Sequence, residues 1–234
     1  MSTRLAVLAS GRGSNLRALH EYLSHSGRDN LAHLALVLSD HADAGALSFA
    51  RSRDVAVAAI DGGTLGGDRL LAQLSSHRID LVVLAGYMRL VPEVVVHAYR
   101  GRIVNVHPAL LPAFGGRGMY GARVHAAVIA AGARVSGATV HFVDERYDHG
   151  AVIAQWPVPV LSGDTPKELA ARVLRVEHAL YPPAVMAVAQ KRIALDDSGR
   201  ATHMHLPALD AAAFVLDSLD DAALRNAIGI ALSA

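Results

Sequence analysis

The residues of this chain whose types most directly suggest chemistry are Asn105-Val106-His107-Pro108. Asp148 follows the histidine by 41 residues, in the segment His141-Phe142-Val143-Asp144-Glu145-Arg146-Tyr147-Asp148-His149-Gly150. An amide, an imidazole and a carboxylate can together hold a carbonyl oxygen, stabilise the negative charge that develops on it, and shuttle a proton. That equipment serves acyl transfer without a protein nucleophile. Asn105 and His107 are two positions apart at the end of the apolar run Ile103-Val104, so on a strand both side chains leave by the same face. Pro108 ends the strand just past them. Taken alone, Asn-x-His reads equally as a buried histidine beside a turn asparagine.

The elements that must position these groups follow from the apolar pattern. Leu5 to Ala9 is a short apolar run ending in Ser10-Gly11-Arg12-Gly13, followed by a helical pattern with Leu16 and Leu19 on one side. Strand and helix then alternate: 34–38 and 42–53, 55–60 and 64–77, 79–85 and 91–99, 103–106 and 124–131. Such alternation predicts βαβ crossovers, and runs that are largely apolar instead of alternating predict strands covered on both faces. The expected fold class is α/β, a Rossmann-like, mainly parallel sheet with helices on both faces. The adjoining runs 138–143 and 152–160 extend the sheet antiparallel. Thr165-Pro166-Lys167-Glu168 predicts the start of a long helix, with threonine as N-cap, proline at the first helical position and glutamate closing a capping box. Its core face is Leu169, Val173, Val176 and Leu180. A strand-like Ile193-Ala194-Leu195 and a turn at Asp197-Ser198-Gly199 precede an alanine- and leucine-rich helical tail from Pro207.

Composition limits the function classes. With 234 residues, 52% of them hydrophobic, the chain can bury an ample core in one domain with a small appendage. Lys+Arg 22 against Asp+Glu 21 leaves no basic surface for nucleic acid or an anionic membrane, so an anionic ligand must be held locally. The absence of cysteine removes disulfides, thiolate metal sites and thiol nucleophiles, and is compatible with a reducing cytosol. Mean hydropathy is +0.30, but the longest uncharged runs, 103–116 and 150–162, are short and broken by prolines. Met1-Ser2-Thr3-Arg4 leads directly into the first strand without a signal peptide's architecture, and a cytoplasmic location is expected.

Other motifs add ligand chemistry. Gly11, Gly13, Ser14 and Asn15 lie between the first strand and its helix. There glycines let backbone amides approach an anion, and the helix contributes its positive end. Leu16 breaks the dinucleotide fingerprint G-x-G-x-x-G, so NAD is not supported. The alternative is a tight turn capped by Ser14. Met88-Arg89-Leu90-Val91 follows the strand 81–85 and Gly86, also at the carboxyl edge of the sheet. It can offer backbone groups to a flat heterocycle while Leu90 and Val91 pack its faces; the alternative is a plain loop with one exposed arginine. Histidines 125, 141, 149 and 178 lack metal-ligand spacing, and the lone H-x-H, His203-Met204-His205, stands apart, so no metal site is expected.

The ordered series Gly11-Arg12-Gly13-Ser14-Asn15, Leu84-Ala85-Gly86-Tyr87-Met88-Arg89, Asn105-Val106-His107-Pro108-Ala109-Leu110-Leu111-Pro112, Gly118-Met119-Tyr120-Gly121, His141-Phe142-Val143-Asp144, Asp148-His149-Gly150 and Glu177-His178-Ala179-Leu180-Tyr181-Pro182 resembles the folate-dependent phosphoribosylglycinamide formyltransferase family of purine synthesis. The likeness runs from Leu5 to about Ile193. The resemblance implies that Gly13, Ser14 and Asn15 hold the substrate phosphate and that Glu177 contacts the ribose of glycinamide ribonucleotide. It also implies that Met88, Arg89, Leu90 and Val91, with Asn105, line the pocket of the co-substrate 10-formyltetrahydrofolate, and that Asn105, His107 and Asp148 are catalytic. By this resemblance residues 1–195 form the formyltransferase domain, and 196–234 a tail either packed on it or disordered. The expected partners are these small molecules, with neither nucleic acid nor membrane; a homodimer is among the arrangements the sequence leaves open. His149 departs from the family's usual small residue at that position, and the chain beyond about Thr202 has no counterpart there. The rival readings are a hydrolase of 10-formyltetrahydrofolate and the enzyme that formylates initiator methionyl-tRNA. The first usually has an additional N-terminal domain and the second a basic C-terminal one. A third is a binding module without catalysis on the same scaffold.

Overall fold

A computed structural model describes residues 2–25, 28–60 and 66–203. The strands are β1 (Thr3–Leu8), β2 (Ala32–Ser39), β3 (Ala56–Ala59), β4 (Leu81–Leu84), β5 (Ile103–His107), β6 (Val135–Phe142), β7 (Val152–Pro159), β8 (Ile193–Leu195) and β9 (Ala201–His203). The α-helices are α1 (Ser14–Ser24), α2 (Gly45–Arg51), α3 (Gly66–Ser76), α4 (Glu93–Ala98), α5 (Ala122–Ala130) and α6 (Pro166–Ala189). Seven strands form one sheet in the order β3-β2-β1-β4-β5-β6-β7, and β8 pairs with β9 in a separate antiparallel ribbon. The pairs β1–β2, β1–β4, β2–β3 and β4–β5 are parallel and β6–β7 is antiparallel, as the apolar runs predict. The tail from residue 204, and with it Met204 and His205 of the H-x-H, lies outside the described residues. Among the described residues no helix is long and apolar enough to cross a membrane.

The chain forms two compact units, Met1–Asn105 with Val143–Glu145, and Val106–Phe142 with the described residues from Arg146 onward. In the first, Ala6, Leu8, Leu36, Leu38, Val82 and Leu84 from three strands pack with Leu70, Leu74, Val95 and Val96 from α3 and α4. Each of the leucines and valines among them, fully removed from water, contributes about 1.5–3 kcal/mol before chain entropy is counted. Strand order reverses between β1 and β4, because the connection from β1 leads to β2 on one side and the chain returns from β3 to β4 on the other. In open parallel sheets that reversal opens a crevice beyond the strand ends. The loops that follow β1 and β4 lie there.

In the second unit α6 packs on α5, β6 and β7. Its start is as predicted: Glu168 N–H donates to Thr165 Oγ1 at 3.3 Å, and Thr165 N–H donates to Glu168 Oε2 at 2.8 Å. Leu169, Val173, Val176 and Leu180 are all buried. The helix then continues through Pro182 and Pro183, which the sequence pattern does not suggest because proline removes a helical N–H donor. Ala184 to Val188 beyond them are buried, so tertiary packing holds the last turns.

Candidate active site

In the first unit, Gly13 is the N-cap of α1 with φ of 77°, and among the described residues no side chain caps the helix. The alternative of a turn capped by Ser14 is therefore not what forms. A Cβ at Gly13 would lie 3.0 Å from both Cα and Cβ of Ala46 on α2, so glycine is required by its conformation and by the close approach of α2. Ser14 and Asn15 begin the helix, and the first-turn N–H groups lack intrahelical partners by the geometry of any helix start. Asn15 is buried. Across the crevice, Ser10 N–H donates to the Gly86 carbonyl at 3.1 Å and Met88 N–H donates to Ser10 Oγ at 3.0 Å. Met88 is 44% exposed and Leu90 39%, whereas Val91 is 2% exposed and packs in the core. The side chain of Val91 therefore serves the core, where the sequence pattern allows it to face a ligand.

Asn105 and His107 are alternate residues of β5, as the period of two requires. In the second unit His107 is 3% exposed. Its Nδ1 lies 3.4 Å from Asp148 Oδ2, and its Nε2 lies 2.8 Å from the Phe114 carbonyl oxygen. An imidazolium donates from both nitrogens, a neutral ring from only one. Gly116 N–H donates to Asp148 Oδ2 at 2.9 Å, and His141 Nε2 stands 3.8 Å from Asp148 Oδ1. Burial by itself pushes the Asp148 carboxyl up. The hydrogen bond and charge of His107, the Gly116 N–H and the charge of His141 outweigh it, holding the carboxyl below its ordinary value. Phe114 and Asp148 both have positive φ, 55° and 54°. Non-glycine residues held there cost backbone energy, and such residues gather at working sites.

The segment after Pro108 is anchored by β6 and β7. Thr139 Oγ1 donates to the Ala109 carbonyl at 2.6 Å and accepts from Leu111 N–H at 3.0 Å, while Gln155 Nε2 donates to the Leu111 carbonyl at 2.8 Å. A cavity of about 300 Å³ opens beside Asp148, lined among others by Leu111, Pro112, Gly115, Tyr147 and His149. Glu177 is buried on α6. The Phe114 carbonyl and the Gly116 N–H carry no sequence signal, because backbone groups look alike at every position.

His125, on α5, is 4% exposed, and its Nδ1 has no hydrogen-bond partner among the described residues. Burial, and then the charge of His107, push its pKa down to about 4. The unfolded chain takes up this proton near pH 6.5 and the folded one only near pH 4, so the associated stability is complete above pH 6.5 and is lost as pH falls through that interval. The full shift corresponds to about 3 kcal/mol. His125→Leu should flatten the decline in unfolding free energy between pH 6.5 and 4, measured by urea titration. An unchanged slope would show that His125 does not set it. Among the described residues no group of three His, Asp or Glu side chains is arranged to hold a metal ion.

Residues 3–185 match a family model described as formyl transferase. Phosphoribosylglycinamide formyltransferase, chloroplastic, of Arabidopsis thaliana is 44% identical over 204 residues, 84% of this chain and 68% of that protein. Phosphoribosylglycinamide formyltransferase of Bacillus subtilis is 35% identical over 78% of this chain and 92% of its own length. The crystal structure of glycinamide ribonucleotide transformylase 1 from Symbiobacterium toebii superposes with a TM-score of 0.78 at 37% identity, covering 87% of this chain and 95% of that one. With its match running from β1 into α6, over Asn105, His107 and Asp148, this chain belongs to the formyl transferase family.

Proposed function

We propose that this chain is a phosphoribosylglycinamide formyltransferase, moving the formyl group of 10-formyltetrahydrofolate to the amine of glycinamide ribonucleotide in de novo purine synthesis. The observation that carries the reading is the buried His107–Asp148 pair, its carboxylate fixed by the Gly116 N–H beside an open cavity. The relatives named for this activity, which extend over most of the chain, support it. Residues 1–195 are the part that carries the activity, and 196–234 follows it, beginning with the turn and returning strand of the β8–β9 ribbon. The proposed setting is the cytoplasm, whose reducing conditions suit a chain without cysteine.

The substrate amine attacks the formyl carbon, a C–N bond forms, and the carbonyl oxygen becomes an oxyanion. The Asn105 amide and protonated His107 donate to that oxygen, which takes at Nε2 the place now held by the Phe114 carbonyl. Asp148 keeps the imidazolium paired and relays a proton from the attacking amine to the folate nitrogen as the old C–N bond breaks. Gly13, Ser14 and Asn15 receive the phosphate, Glu177 the ribose, and Met88 to Val91 with Asn105 the folate. No covalent enzyme intermediate is required.

Purified protein should change the folate absorbance only when 10-formyltetrahydrofolate and glycinamide ribonucleotide are both present. Formate release without the ribonucleotide would instead favour the hydrolase reading. Replacing Ser14 and Asn15 together by alanine should raise KM for the ribonucleotide about tenfold and leave KM for the folate unchanged, because hydrogen bonds to a charged group are lost. An equal rise for both substrates would refute the assignment of this loop.

A further inference from the structure

Asp40, one residue beyond β2, is a carboxylate to which no motif draws attention. Its side chain is 3% exposed, yet its partners belong to two other loops. Arg89 Nε donates to Asp40 Oδ2 at 2.8 Å, and the Ser10 hydroxyl also bonds to this carboxylate. Ser10 Oγ in turn accepts the Met88 N–H. His41, largely exposed, has its Nε2 3.7 Å from Oδ2, and Asp40 Oδ1 has no hydrogen-bond partner among the described residues. Burial opposes ionisation here, but Ser10, Arg89, the residue's own N–H and His41 together hold the carboxyl below its ordinary value. A buried charge is costly to keep, and apolar packing could join two loops at lower cost, so the retention of a charge argues for defined placement over bulk stability.

We propose that Asp40 is a positioning residue that ties the loop after β1 to the loop after β4, so that a ligand held on one loop orders the other. This rests on the reading that the first loop holds the ribonucleotide phosphate and the second the folate. Coupling of this kind is reciprocal, each ligand changing the affinity for the other by the same factor.

The test is calorimetric binding of glycinamide ribonucleotide and of tetrahydrofolate, each alone and each with the other saturating. Hydrogen exchange at the Met88 amide is measured on the same proteins. In the unmodified protein each ligand should tighten the other about fivefold. Asp40→Asn, which keeps the shape and removes the charge, should bring that factor to about one, weaken both ligands, and accelerate Met88 exchange, with the thermal unfolding midpoint little changed. Ser10→Ala, which removes the acceptor of the Met88 N–H, should also abolish the coupling. Unchanged coupling and unchanged Met88 exchange in Asp40→Asn would overturn the proposal, as would weakening of one ligand alone. If the unmodified protein binds neither ligand, the functional reading fails, and Met88 exchange in Asp40→Asn still decides whether Asp40 ties the loops.

Discussion

His107→Ala and Asp148→Asn should each lower kcat by about 10²-fold or more while leaving both substrate affinities within a small factor, because each removes charge or a donor required mainly in the transition state. The two contacts that meet at His107, 3.4 Å to Asp148 and 2.8 Å to the Phe114 carbonyl, make its ring the junction of the site. Asp148→Asn keeps the size of the side chain and can still accept the Gly116 N–H, so its loss reports charge and proton acceptance more than shape. Single-turnover rates with both substrates saturating isolate the chemical step. Retention of near-normal kcat by either variant, with intact circular dichroism, would remove that residue from the mechanism. The double variant should be little slower than the worse single one, since residues acting as a unit are not additive.

Gly115→Val is the second change expected to act strongly. A Cβ at Gly115 would lie 2.5 Å from Leu111 Cδ2 and 3.2 Å from Asp148 Cβ. The Leu111 backbone is held at both ends by Thr139 and Gln155, so relief of this contact falls to rotation of its side chain, which is itself buried. The Cβ contact asks Asp148 to give by a few tenths of an ångström, and the two methyl groups that valine adds beyond Cβ are expected to push it, and the carboxylate facing His107, further. A displacement near 1 Å in a reacting constellation costs on the order of 10²-fold in rate, and we expect a loss of that size in kcat. Substitution at an exposed position of the same cavity wall, Tyr147→Phe, should cost far less. Equal turnover in Gly115→Val and the unmodified protein would show that Asp148 tolerates displacement.

What the sequence determines by itself is what local periodicity controls. Strands buried on both faces carry largely apolar runs, which places β1, β2, β4 and β5 in the chain. The period of two sets Asn105 and His107 on one side of β5, and the Thr165–Glu168 capping box fixes the first residue of α6. Gly13 could be read as the approach point of a helix start because glycine alone combines positive φ with no side chain. Tertiary structure decides what depends on partners distant in the chain. It brings His107 to Asp148 across 41 residues, and it supplies the Phe114 carbonyl and Gly116 N–H, backbone groups that any sequence possesses. It commits the side chain of Val91 to the core, although its pattern equally fits a ligand-facing loop. It carries α6 through two prolines, because burial of the following turns outweighs two missing N–H donors. It also makes Asp40 a hub and leaves His125 without a partner at Nδ1 among the described residues, since burial and electrostatic environment belong to the folded surroundings and not to the residue.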